Sequence, residues 1–234
     1  MSAEGFRNRA PAIARAVFLF FGTLYLALGI GLGFKGVLFG WAGGCLLVLG
    51  LAYALNNARL IGKRPDGSFF PLAVLFHAPF LFASWLGWKA RRRNDEPPWN
   101  EVAPGLYVGR IGPMGELPLG TKLVVDLTAE MFPPAGLRGA HYRCLPTLDG
   151  CASDEAGFAK LSREVAAFEG APIFVCCAAG HGRSATFAAA VMILRGVAPD
   201  APAAELMMKS KRPLIGLGTA QRKLVEKTTA GQLQ

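Results

Sequence analysis

Between two apolar stretches the chain reads Cys177-Ala178-Ala179-Gly180-His181-Gly182-Arg183-Ser184. Small residues and glycines leading from a strand into a helix aim successive backbone N–H groups at one point. The helix N-terminus adds positive potential there, so the turn from Ala178 to Gly182 reads as an anion cradle. A cysteine at its start feels that field, which favours the thiolate nucleophile. Arg183, six residues on, returns to the rim, where its planar fork matches two phosphate oxygens. Nucleophile, cradle and clamp together describe attack on a phosphate monoester, a phosphocysteine intermediate and its hydrolysis by water. No metal or other cofactor is expected. His77, His141 and His181 are scattered, and Cys45, Cys144, Cys151, Cys176 and Cys177 follow neither a disulfide nor a zinc spacing.

Such chemistry also needs a proton donor for the leaving oxygen and later a base for water. Asp149, 28 residues before Cys177 in Leu145-Pro146-Thr147-Leu148-Asp149-Gly150, is the first choice, and Gly150 gives its loop freedom to move. Asp154 competes, but it precedes an amphipathic stretch and reads better as a helix N-cap. Asp126 ends an apolar run and reads as structural.

These residues resemble a family. Cys-x5-Arg-Ser between a strand and a helix is similar to the signature of the cysteine-dependent protein tyrosine phosphatases, specifically the dual-specificity branch. The resemblance runs from about Trp99 to Thr228. It takes in Gly105-Leu106-Tyr107-Val108-Gly109, Val124-Val125-Asp126-Leu127 and Lys211-Arg212-Pro213. It implies Cys177 as nucleophile, Arg183 as phosphate-binding arginine, Ala178 to Gly182 as amide donors, and Asp149 in the place of the general acid. Ser184 would hydrogen-bond the thiolate as it leaves, or cap the helix. One position departs: the family has histidine before the nucleophile, and here it is Cys176. That cysteine reads as a small buried residue or as a partner for oxidised Cys177, a pairing strained between neighbours. His181, inside the loop, is expected to point outward, toward the rest of a substrate or toward solvent.

The surrounding pattern supplies the positioning elements. Strands are expected over Leu106–Arg110, Lys122–Leu127, His141–Leu145 and Pro172–Cys176. Helices are expected over Asp154–Phe168, Ser184–Arg195, Ala203–Lys211 and Ala220–Thr228. Strands alternating with helices give an α/β domain over 101–234, with a mainly parallel sheet flanked by helices. NDEPPWN, 94–100, reads as a linker.

The first 93 residues are different. The chain has a net charge of +9 and 52% hydrophobic residues, yet residues 1–100 carry 11 Lys/Arg against 4 Asp/Glu. The basicity therefore sits with the apolar half, the pattern of membrane flanks and not of a nucleic-acid binder. Helical spans are expected at 16–33 and 37–55, and Gly36, Gly40 and Gly44 offer a small-residue face for packing the two or for a homodimer. The third apolar segment, 69–88, holds Pro71, Pro79, His77 and seven Phe or Trp residues. Counting cations favours an interfacial or re-entrant third segment, because all but Lys35 then lie on one side. Lys89–Arg93 reads as a stop-transfer flank or an anionic-headgroup site.

The chain thus reads as a membrane-anchored phosphatase with its catalytic domain on the cytoplasmic face, where the free thiols stay reduced. The resemblance implies phosphotyrosine, phosphoserine or phosphothreonine proteins as substrates. Tethering at a bilayer raises a lipid phosphate, such as a phosphoinositide or phosphatidylglycerol phosphate, as the alternative. Alanines at 178 and 179 leave the cradle without the extra lysines that a multiply charged inositol would call for. A phosphate-binding module without turnover is the third reading, although nucleophile, arginine and acid all have occupants here.

Overall fold

The computed structural model describes residues 3–90, 96–112, 116–134 and 140–230. Three helices come first: α1 (Ala3–Gly31), α2 (Val37–Leu55) and α3 (Pro71–Ala90). Each is long and apolar enough to cross a membrane by length and composition. Helix α1 begins well before the expected start at 16, because Pro11 falls where a polar, arginine-bearing first segment continues the helix instead of ending it. The third apolar segment is helical over nearly its whole length, with Pro79 inside the helix. The basic cluster after it, Arg91–Arg93, lies outside the described residues.

Helices α1 and α2 form the expected hairpin, but on a partly different stripe. A Cβ on Gly29 would come within 2.5 Å of the Gly40 backbone nitrogen, and one on Gly43 within 2.5 Å of that of Leu26. Gly22 and Gly36 are pressed against the partner helix in the same way, so the contact uses glycines seven apart, 22 and 29 against 36 and 43. That repeat keeps small residues on one seam of a helix pair, and backbones approach where side chains would block them. Gly44 faces Phe76 of α3, while a Cβ on Gly40 would have nothing within 4 Å.

The C-terminal domain is a five-stranded sheet in the order β1-β2-β5-β3-β4. Its strands are β1 (Trp99–Ala103), β2 (Leu106–Arg110), β3 (Leu123–Thr128), β4 (His141–Thr147) and β5 (Ile173–Cys177). All neighbours are parallel except the hairpin β1–β2. β1 was not expected. It holds mixed residues at an edge, where one face alone is buried, and so lacks an apolar run. Central β3 and β5 are buried at every position, as parallel strands covered on both faces must be.

Helices α4 (Glu155–Ala166), α5 (Arg183–Leu194), α6 (Ala201–Lys211) and α7 (Thr219–Thr229) complete the domain. α5 is buried from Arg183 to Ile193 and packs its alanines against Leu127, Ile173, Val175 and Phe158. The opposite face of the sheet presents Val124, Phe174 and Cys176 to Trp99, Tyr142 and, from α3, Trp88.

The helices and the domain are joined by more than the chain. The Asn8 side-chain oxygen accepts from the Thr219 backbone N–H at 2.7 Å, and the Asn56 amide donates to the Ala152 carbonyl at 3.1 Å. The segment between α2 and α3 inserts Lys63 beneath the sheet. Its ammonium donates to Asp126 at 2.8 Å, to Thr128 carbonyl and hydroxyl oxygens at 2.9 Å, and to the Met131 carbonyl at 2.7 Å. The residues just before α3 and its last turn meet the same segment of the domain: Phe69 packs on Phe132 with ring centroids 4.8 Å apart and planes tilted by 48°, and Trp88 packs in the cluster that holds Met131.

Candidate active site

Cys177 is the last residue of β5, and Arg183 the first of α5. The intervening turn is therefore the strand-to-helix crossing that the sequence called for. Alternation along the strand sends neighbouring side chains to opposite faces. Cys177 accordingly joins the helix-side core, and Cys176 the other face with Ile111, Val124 and Phe174. Burial pushes the Cys176 thiol well above its usual pKa, with Asp126 adding to the rise. Of the two expectations for Cys176, the small buried residue is what the structure shows.

The Cys177 sulfur accepts the Gly180 backbone N–H at 3.2 Å and lies 3.3 Å from the Ser184 hydroxyl. Gly180 adopts φ 78°, and a Cβ there would collide with the Gly109 backbone of β2. Only glycine lets the loop curl this tightly over the sulfur. Ser184 contacts the sulfur but does not cap α5, since Gly182 occupies the cap with no side-chain bond.

Arg212 holds the loop from behind. Fully buried, it donates from Nε to the Gly180 carbonyl at 3.0 Å and from Nη2 to the Ala179 carbonyl at 3.1 Å. It also reaches Pro97, Asn100 and Glu96. With those carbonyls turned back toward Arg212, the loop's fold is fixed before any anion arrives. His181 is neither solvent-facing nor free: its Nε2 lies 2.9 Å from a Glu96 carboxylate oxygen. Burial lowers the His181 pKa while Glu96 pulls it up. Glu96, read as linker from the sequence, is thus part of the site wall.

Arg183 differs from the simple clamp expected. Both Nη atoms engage Glu130, at 2.9 and 2.7 Å, Nη1 also donates to the Thr147 carbonyl at 2.9 Å, and Nη2 lies 3.1 Å from Asp149. Burial works against the guanidinium charge, but Glu130 and Asp149 outweigh it and hold its pKa well above the usual arginine value. Its Nε is buried without a hydrogen-bond partner. Glu130 escaped sequence reading because a lone acid after a strand carries no spacing signal; its role exists only once β3 lies beside the loop.

The structure brings Asp149 to the rim, its side chain 77% exposed and in contact with Arg183. Gly150, at φ 75°, follows it and abuts Ala10 and Pro11 of α1. Asp154 caps α4 by accepting from the Gly157 N–H at 2.8 Å, and Asp126 is buried against Lys63 and Tyr142. Both are occupied as the sequence predicts for structural residues.

The cradle opens into a cavity of about 450 Å³ whose floor is Cys177, Ala178 and Ala179. Asp149, Glu130 and His181 line its polar side, and Phe18, Tyr53, Phe80 and Trp88 bring in all three N-terminal helices. Part of the wall of the site is thus supplied by residues of the apolar half.

Comparison with known proteins agrees with this architecture. No protein-family model and no curated protein sequence matches the chain. Among solved structures, it is similar to the human tyrosine phosphatase-like serine/threonine/tyrosine-interacting protein, with 19% identity and a TM-score of 0.52 over 59% of this chain and 100% of that one. It is also similar to human DUSP28, at 23% identity and TM-score 0.51, over 59% of this chain and 97% of that one. A mouse putative dual specificity phosphatase, complexed with zinc tungstate, matches at 23% identity and TM-score 0.50, over 59% and 91% of the two chains. The C-terminal domain of this protein, from β1 to α7, has the dual-specificity phosphatase fold.

Proposed function

We propose that the protein is a membrane-anchored, cysteine-dependent phosphatase that hydrolyses phosphomonoesters. The observation that carries this reading is the Cys177 sulfur, held at the cavity floor by the Gly180 N–H and the Ser184 hydroxyl, at the N-terminus of a buried helix. The Cys177 thiolate attacks phosphorus, and the bond from phosphorus to the leaving oxygen breaks. Asp149 gives that oxygen its proton. Water then attacks the phosphocysteine, passes a proton to Asp149, and the S–P bond breaks to release inorganic phosphate and the thiolate. Ser184 supports the departing sulfur. The buried, unpartnered Nε of Arg183 is a donor that a phosphate oxygen would satisfy, which is why Glu130 can occupy both Nη atoms without closing the site. The mouse structural neighbour's tungstate is an oxyanion of phosphate shape, which suits the same kind of cradle.

The helical hairpin α1–α2 serves as the anchor. The N-terminal turns of α1 and the C-terminal end of α2 both reach the catalytic domain, which puts the Lys35 turn at the far end. Contacts just before α3 and in its last turn with segment 130–132 support an interfacial placement for it, since a 20-residue helix is about 30 Å long and would otherwise carry one end away. The catalytic domain then shares a face with nearly all the flanking cations, the cytoplasmic side by the positive-inside rule.

The test is to trap the intermediate. Asp149→Asn is expected to slow turnover of an alkyl phosphate roughly 100-fold. With para-nitrophenyl phosphate, whose leaving oxygen needs no proton, the phosphocysteine still forms while water activation is impaired, so rapid quenching should leave phosphate on the peptide that carries Cys177, detected by mass spectrometry. A variant that turns over slowly with no phosphopeptide at any time point would argue against covalent catalysis. Glu130 is a positioning residue in this scheme. A charge-assisted pair contributes about 1.5–3 kcal/mol, so Glu130→Gln is expected to lower kcat/KM roughly 10- to 100-fold. Inhibition by inorganic phosphate should weaken in parallel.

A further inference from the structure

Next to the catalytic cavity lies a second one of about 600 Å³, formed between α3 and the segment after β3. That volume falls within the range of about 300–1,000 Å³ common to small-molecule sites. Leu81, Phe82 and Trp85 form its α3 wall, and Ile111, Phe132 and Pro133 the opposite one. Trp88, Glu130 and Met131 line both cavities, so the apolar groove adjoins the chamber above Cys177. Its walls are exposed apolar side chains: Phe82 is 63% exposed and Phe132 55%. Lys89, its ammonium 5.2 Å from the Trp85 ring centroid, is at the groove too. An aromatic with a lysine beside it is the usual composition of a lipid–water boundary.

Resting on the phosphatase reading above, we propose that the substrate is a lipid phosphomonoester, its phosphate over Cys177 and an acyl chain in the groove between α3 and residues 131–134. Three observations converge on this occupant. The part of the substrate beyond the phosphate meets Phe18, Tyr53, Phe80 and Trp88, which offer apolar surface and few hydrogen bonds. The groove leaves the site along a helix that is itself apolar enough for a bilayer. Finally, Glu96, Glu130 and Asp149 are each already paired with Arg212 or Arg183, and Ala178 and Ala179 bring no lysine to the floor, an arrangement suited to a single phosphate and not to a polyphosphorylated headgroup. A phosphopeptide, with its many backbone donors and acceptors, would leave those groups unpaired against the same walls.

The experiment uses the full chain in mixed detergent micelles. Phosphate release is compared for dioleoyl and dibutyryl phosphatidic acid, phosphatidylglycerol phosphate, a phosphotyrosine peptide and para-nitrophenyl phosphate. Burying an acyl chain is expected to raise kcat/KM on the order of 100-fold from the dibutyryl to the dioleoyl lipid, and the peptide should fall below both long-chain lipids. Phe132→Asp and Trp85→Asp, which put a charge in the groove, should shrink the dioleoyl-to-dibutyryl ratio at least tenfold. Turnover of para-nitrophenyl phosphate with no dependence on chain length, or with the peptide preferred, would overturn the lipid assignment and leave the phosphatase reading standing. Silence on every substrate would overturn both. The chain-length series on the unmodified protein decides the matter even where a groove variant does not fold.

Discussion

Cys177→Ser is expected to release no phosphate from any monoester above the uncatalysed background, while keeping the fold and the capacity to bind phosphate. A serine hydroxyl fits the space of the thiol, and the Gly180 N–H and the Ser184 hydroxyl remain to meet it. What is lost is the anionic nucleophile. A hydroxyl is a far weaker nucleophile than sulfur without a general base, and no imidazole touches Cys177 among the described hydrogen bonds. The nearest histidine of the loop, His181, is turned to Glu96. Isothermal titration with inorganic phosphate, alongside a phosphate-release assay, separates the two properties. Retained binding with lost turnover is the expected pair of results. Turnover surviving in the serine variant would show that another group performs the attack.

Lys63→Met is expected to destabilise the protein by about 3–5 kcal/mol, the cost typical of removing one partner from a buried ion pair. Both side chains, Lys63 and Asp126, are fully buried, and the ammonium satisfies two further residues besides the carboxylate. Methionine fills much the same volume but leaves Asp126 charged and enclosed, with Thr128 and Tyr142 as its remaining donors. Denaturation in detergent would show the loss as a lower midpoint. Pairing Lys63→Met with Asp126→Asn should recover a large part of it, because no charge is then left uncompensated.

The same ion pair sets a pH window. Burial lowers the Lys63 pKa but Asp126 outweighs it, so the folded value lies above the ordinary 10.5. A raised lysine contributes fully below its unfolded pKa and loses that contribution as pH rises through the folded one. On the lysine side, stability due to this pair should therefore be flat through neutral pH and decline in strong alkali. Because Lys63 belongs to the segment between two apolar helices and Asp126 to a central strand, the variant also tests whether the N-terminal helices and the C-terminal domain act as one unit. Loss of activity in step with loss of the ion pair, at temperatures where the sheet survives, would show that they do.

The sequence by itself determined the layout of the loop. A cysteine, a run of small residues and an arginine six places on are local in the chain, and the apolar stretches around them are local too. Their periodicities therefore reveal strand, turn and helix without reference to anything distant. Asp154 as a cap and Asp126 as a structural acid were legible for the same reason, since capping and strand ends are short-range effects. Three apolar segments were visible from length and composition, as was the parallel core from fully apolar strands.

What only the tertiary structure decided are the contacts between parts far apart in sequence. Glu130 meets Arg183 across 53 residues, and Glu96 meets His181 across 85. Neither pair has a spacing rule, because both follow from how β3 and the segment before β1 lie beside the loop. Of the glycines 36, 40 and 44, the seam of α1 and α2 uses Gly36 and the Gly40 backbone and adds Gly43, while Gly44 faces α3, a choice that only packing makes. Lys63 looked like one more cation beside a membrane and is instead buried in the domain. Above all, part of the wall of the site comes from helices that composition assigns to the bilayer. Hydrophobicity says that a surface must be covered, but not by what, and here part of the cover is the wall of the cavity above Cys177.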